Sequence, residues 1–121
     1  MNDYIPTIIL DFDGVLHSYE SGWLGAENIP DPPVPGAVKF VTKAVKHFKV
    51  AVYSTRSGED GGIPAMQAWM CQHGFPVDEI AFPTTKPPAL WSLDDRVDRF
   101  TGIFPDIDYI KAFKPWYENE R

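Results

Sequence analysis

The 121 residues suffice for one compact domain and leave little room for a second, since domains typically take ~100–200 residues. With 44% hydrophobic and 23% charged residues, the composition excludes a disordered, collagenous or disulfide-scaffold chain. Eleven Lys and Arg against seventeen Asp and Glu give a net charge of −6, which excludes a bulk positive field for a polyphosphate backbone and confines any nucleic-acid contact to a local site.

Met1-Asn2-Asp3-Tyr4 lacks the basic flank and apolar stretch of a secretion signal, and no run approaches the ~18 apolar residues of a membrane span, so a cytoplasmic protein without membrane contact is expected. Thr7–Leu10 is a short apolar run ending in Asp11-Phe12-Asp13-Gly14, the pattern of a buried strand that stops at a polar site. Val15 to Val34 is broken by Gly22, Gly25 and a proline cluster and reads as a flap (about 15–34). Pro35 opens a helix whose apolar positions, Val34, Ala37, Val38, Val41, Ala44, Val45 and Phe48, recur at amphipathic spacing. Val50–Tyr53 is the second strand, ending in Ser54-Thr55-Arg56-Ser57 before a glycine-rich turn. Ile63–His73 forms the second helix, with Gly74 as its stop and Cys71 as a core filler. The lone cysteine permits no intramolecular disulfide and no thiolate metal cage, in keeping with a reducing compartment. Glu79–Phe82 is a weaker third strand. Ala89–Leu93 is a fourth, with Trp91 in the core, and it ends at Asp94-Asp95. A last helix is expected over Phe104–Phe113, stopped by Pro115, and Trp69 and Trp116 are expected to be partly exposed.

This order predicts an α/β fold: residues 1–121 as one small, doubly wound, Rossmann-like parallel sheet with helices on both faces. Ligands of such sheets bind beyond the carboxyl ends of the strands. With the first strand central, Asp11, Asp13, Ser54, Asp94 and Asp95 meet at one edge, and Lys86 lies in the loop leading to the fourth strand. Four clustered carboxylates cannot all stay ionised without a counter-charge. An oxygen-only set without His or Cys suits a hard ion, and Mg²⁺, which takes one or two carboxylates plus a phosphate oxygen, fits better than zinc. Ser54 and Lys86 would supply donors for a transferring phosphoryl group.

The set Asp11-Phe12-Asp13-Gly14-Val15, Ser54, Lys86 and Asp94-Asp95, in that order at strand ends, resembles the four motifs of the haloacid-dehalogenase-like (HAD) phosphatases over residues 7 to about 96. The resemblance implies a Mg²⁺-dependent phosphohydrolase. Asp11 would be the nucleophile that forms an aspartyl-phosphate, and Asp13 the general acid and then base. Asp11, the Asp13 carbonyl and Asp95 would hold the metal, Asp94 would orient Lys86 or metal-bound water, and Ser54 and Lys86 would grip the phosphate. Gly14 would let the chain leave the strand in a conformation other residues resist. No segment is long enough for a separate cap domain, so the site is open, taking a phosphate on a large substrate or borrowing cover from a second copy of the chain. Ser54-Thr55-Arg56 is similar to the Ser-x-Arg of members that act on nucleic-acid ends, where the arginine reaches the phosphate; Thr55 is the alternative hydroxyl donor.

The substrate expected is a phosphomonoester on a nucleotide or nucleic-acid end, with a small metabolite as runner-up. A phospho-accepting signalling module would need its acceptor aspartate after the third strand, where the chain reads Ala81-Phe82-Pro83-Thr84. A binding protein that keeps the site without turnover has the same residues. Plainer roles also exist for single residues: Asp94 as a helix cap, Ser54 as a turn cap, Arg56 as a surface ion pair, and His17, Tyr19 and Trp23 as packing for the flap.

Overall fold

The computed structural model describes residues 4–119, so the reading of Met1–Asp3 lies outside the described residues. Four parallel strands, β1 (Thr7–Leu10), β2 (Lys49–Val52), β3 (Ile80–Ala81) and β4 (Trp91–Leu93), form one sheet in the order β3-β2-β1-β4. Helix α1 (Ala37–Ala44) connects β1 to β2, and α2 (Gly62–Gln72) connects β2 to β3. Two short helices, α3 (Ile107–Lys111) and α4 (Trp116–Asn119), follow β4. The α/β class and the central β1 agree with the pattern of short apolar runs alternating with 3.6-residue periodicity.

The core lies on one face of this sheet. Ile8, Leu10, Val50, Val52 and Ile80 alternate toward it and pack with Ala37, Val41 and Ala44 of α1 and Met66, Trp69 and Met70 of α2. Both helices therefore share that face, because two crossovers of one hand stepping in the same direction land on the same side. Helices on both faces were expected. The third crossover, residues 82–90, contains no helix, since Pro83, Pro87 and Pro88 remove backbone donors and fix the chain in extended conformation.

Several expectations at the residue level are corrected by the same logic. Trp91 is 47% exposed, because β4 is an edge strand that pairs with β1 alone. Cys71 is exposed on the outer side of α2 and fills no core. Trp69 is 5% exposed rather than partly open, and its indole N–H donates to the Asp31 carbonyl at 3.0 Å. The final helix of the apolar pattern is cut from Phe104–Phe113 to Ile107–Lys111, since Pro105 disfavours helical geometry at Phe104. No helix among the described residues is long and apolar enough to cross a membrane.

Candidate active site

Strand register assembles the site. Leu10 pairs with Val52 on one side and Leu93 on the other, so Asp11, Tyr53-Ser54 and Asp94 leave the sheet at one edge. The ladder runs one residue further: Asp11 N–H donates to the Leu93 carbonyl (2.9 Å) and Tyr53 N–H to the Leu10 carbonyl (3.1 Å). One carboxylate oxygen each from Asp11, Asp94 and Asp95 then lies within 4.8 Å of the other two. The cation nearest this trio is Arg96, with Nε 3.9 Å from Asp95 Oδ2.

Such crowding shows in the titration of Asp11 and Asp95. Burial pushes the Asp11 carboxyl up to about 8, helped by the Asp94 and Asp95 charges and opposed by the Phe12 N–H, which donates to Asp11 Oδ1 at 2.8 Å. Asp95 is raised as well, again chiefly by burial, while hydrogen bonds from Asp11 and Tyr117 pull the other way. Three oxygen ligands with surplus negative charge, and no His or Cys among them, fit a hard divalent cation. Asp94 belongs to this group more closely than an orienting role for it implies; its Oδ1 also accepts from the Arg96 N–H at 2.9 Å. Gly14 sits beside them at φ +80°, where a Cβ would collide with the Asp95 carboxylate and the Tyr117 ring. Glycine is required there on both counts.

Asp13 is held from the opposite side. Arg56 Nε donates to both Asp13 oxygens (3.2 and 3.0 Å) and Nη2 donates to Oδ1 (3.1 Å). Nη1 donates to the carbonyls of Gly25, Ala26 and Asn28 in the flap (2.9, 2.9 and 3.2 Å), and the guanidinium lies 4.9 Å from the centre of the Trp23 ring. His17, fully buried, accepts from the Asp31 N–H at Nε2 (3.1 Å), which places its ring proton on Nδ1, facing Asp13 Oδ1 at 2.9 Å. The Arg56 side chain is 0% exposed. A phosphate contact was expected for Arg56; the structure gives it a clamping position instead, because its fork is taken up by Asp13 and by flap carbonyls.

A cavity of about 270 Å³ opens over these groups. Asp11, Asp13 and Asp95 line it, Ser54 and Thr55 form one side, and Tyr19, Trp23, Arg96 and Tyr117 form the rim. Ser54 Oγ caps the short 3-10 turn Thr55–Gly58 by accepting from the Arg56 N–H at 3.0 Å, and it donates to Met66 Sδ at 3.5 Å. The exposed Thr55 hydroxyl is the freer of the two. Lys86 is exposed in the crossover and does not line the cavity, so the structure does not bring it together with the rest. Arg96 stands at the rim in its place, with Nη2 donating to the Tyr117 hydroxyl at 2.9 Å.

Arg96 and Tyr117 were not among the residues singled out. Arg96 was within reach of the strand-end argument, being the next residue after Asp94-Asp95. Tyr117 was not, because nothing in the intervening tail announces that it returns to the site, where Trp116 Nε1 donates to the Gly14 carbonyl at 2.8 Å. No family model, curated protein or solved structure matches this chain. Its chemistry rests on this geometry: a half-buried acid whose charged neighbours are other acids, a second carboxylate fixed by Arg56 and His17, and a hydroxyl and a guanidinium at the rim.

Proposed function

We propose that the chain is a Mg²⁺-dependent phosphomonoester hydrolase of the HAD-like type, without a separate cap, and that Asp11 is its nucleophile. The observation that carries this reading is the meeting of Asp11, Asp94 and Asp95 within 4.8 Å, with Asp11 and Asp95 lining an open cavity. Bound there, the cation would neutralise the trio and polarise a phosphoryl oxygen. Asp11, Asp94 and Asp95 would hold it with their carboxylates. Asp13, whose carboxylate faces Arg56 and His17, would contribute its carbonyl.

Asp11 attacks phosphorus in line as the ester oxygen departs, leaving an aspartyl-phosphate. Asp13 lines the same cavity: entering the reaction protonated, it would give that proton to the leaving oxygen, and the carboxylate left behind, the form that Arg56 holds, would take one from the water that cleaves the acyl phosphate. Thr55 and Arg96 are the donors best placed for the non-transferring oxygens, with Ser54 behind them and Lys86 remote. At about 270 Å³ the cavity has room for the phosphate and part of what carries it, and the remainder of the substrate would lie against the rim. The rings of Tyr19, Trp23 and Tyr117 there favour a nucleotide or nucleic-acid end over a small aliphatic metabolite.

The test is turnover of an aryl phosphate with and without Mg²⁺, by the wild type and by Asp11→Asn. Cation-dependent release of many phosphates per chain, lost in the variant while its fold persists, is the expected result. Stoichiometric phosphate binding without turnover would assign the site to recognition alone.

A further inference from the structure

We propose that residues 96–114 form the interface of a homodimer. Every residue of this stretch is exposed, yet it holds Phe100, Ile103, Phe104, Ile107, Ile110 and Phe113, with Ile103 and Phe104 79% and 83% open. Its order is internal to the stretch: the Phe100 and Phe104 rings stand 5.0 Å apart, Tyr109 hydrogen-bonds Asp98, and α3 has five residues, too few to persist in water without packing. Monomeric proteins rarely leave an apolar surface of this kind open.

Area and charge point to the occupant. The chain exposes 8157 Å², whereas a compact monomer of 13.7 kDa exposes about 6,600 Å². The excess, roughly 1,500 Å² over the whole chain, is of the size each partner hides in an obligate homodimer, and most of the exposed large apolar side chains past β4 that contribute to it lie in this stretch. A two-fold interface must be its own complement, so a face of one sign opposes its copy. This stretch carries Arg96, Arg99, Lys111 and Lys114 against Asp98, Asp106 and Asp108, a net of +1 in a chain of net −6, and so can meet itself where the acidic remainder cannot. The candidate site flanks it: Arg96, its first residue, and Tyr117, just past its end, line the cavity, and Trp116 is tied to Gly14. Pairing would fix both rim residues, although the dimer does not depend on what the site catalyses.

Sedimentation of the full chain over roughly 5–100 µM tests the proposal. The expected mass is twice 13.7 kDa, and the single-chain mass at every concentration would overturn it. The double substitution Phe104→Asp, Ile107→Asp alters side chains exposed in the single chain; it should weaken association at least about tenfold with an unchanged circular dichroism spectrum. A variant that dimerises as the wild type does would refute the assignment. Hydrogen exchange of the wild type needs no variant: amides of 97–113 should lose protection on dilution, and protection that does not change there would also refute it. A monomer that floats with vesicles of mixed zwitterionic and anionic lipid would give the face to a membrane surface and overturn the dimer.

Discussion

The sharpest test of the acidic trio is the effect of pH on the cation-free protein. Asp11 titrates near 8 in the folded chain and near 3.8 when unfolded, so between these values the folded state holds a proton that the unfolded state has released. Stability is then complete below about pH 4 and falls as pH rises through 8, opposite to the usual carboxylate. Fully realised, a shift of this size corresponds to about 5–6 kcal/mol. Water at the cavity side of Asp11 and the proton shared with Asp95 reduce it, and we expect about 2–3 kcal/mol between pH 5 and 8.5, or about 10 °C in Tm for a chain of this size. Asp11→Asn should remove most of this slope and melt above the wild type at pH 8.5 without cation. Mg²⁺ should restore the wild type alone, its apparent affinity rising about tenfold per pH unit below 8 with release of one proton per ion. Thermal melts in chelator across pH, with calorimetric titrations in buffers of different ionisation enthalpy, measure both. A flat wild-type Tm, or a slope shared by Asp11→Asn, would refute the crowding argument.

The remaining predictions address the groups around the trio. Arg56→Met removes both charge and fork; breaking this buried pair should cost about 3–5 kcal/mol in urea denaturation, and the flap should become cleavable by protease between residues 19 and 30. Gly14→Ala places a Cβ against Asp95 at positive φ, so Mg²⁺ affinity measured by calorimetry should fall about tenfold or more, with ~1–3 kcal/mol lost in stability. Arg96→Ala should lower kcat/KM on an aryl phosphate at least about tenfold, and Lys86→Ala by less than about threefold; the reverse order would restore Lys86 as the phosphate ligand.

What the sequence made legible follows from where its information is local. Apolar runs that stop abruptly at acids identify β1 and β4, and parallel register then carries Asp11, Asp94 and Asp95 together without any further signal. Side-chain partners across 40 or more residues are not local. Nothing near Arg56 tells that its fork is filled by Asp13 and by the carbonyls of Gly25, Ala26 and Asn28, so a motif that suggests a phosphate ligand becomes an internal clamp. The exposure of Trp91 was equally hidden, since it depends on β4 being last in the sheet, a property of strand order rather than of the strand.

The two arginines show how burial divides labour between residues of one type. Arg56 and Arg96 follow the ends of β2 and β4, the strands that flank β1, and either could reach a phosphate at that edge. Arg56 is enclosed because the flap folds over it. Its Nη1 holds the carbonyls of Gly25, Ala26 and Asn28 together, the Gly25 carbonyl also accepting from the Asn28 N–H at 3.2 Å, so the guanidinium ties the flap down instead of facing a ligand. Arg96 has the tail rather than the flap as its neighbour and meets only the Tyr117 hydroxyl and two carboxylates at 3.9 Å, contacts loose enough to exchange for a phosphate. The open site thus depends on the closed one: by holding Asp13 and the flap in place, Arg56 supports Trp23 at the rim, and the arginine left in solvent is the one that our proposed reaction assigns to the phosphate.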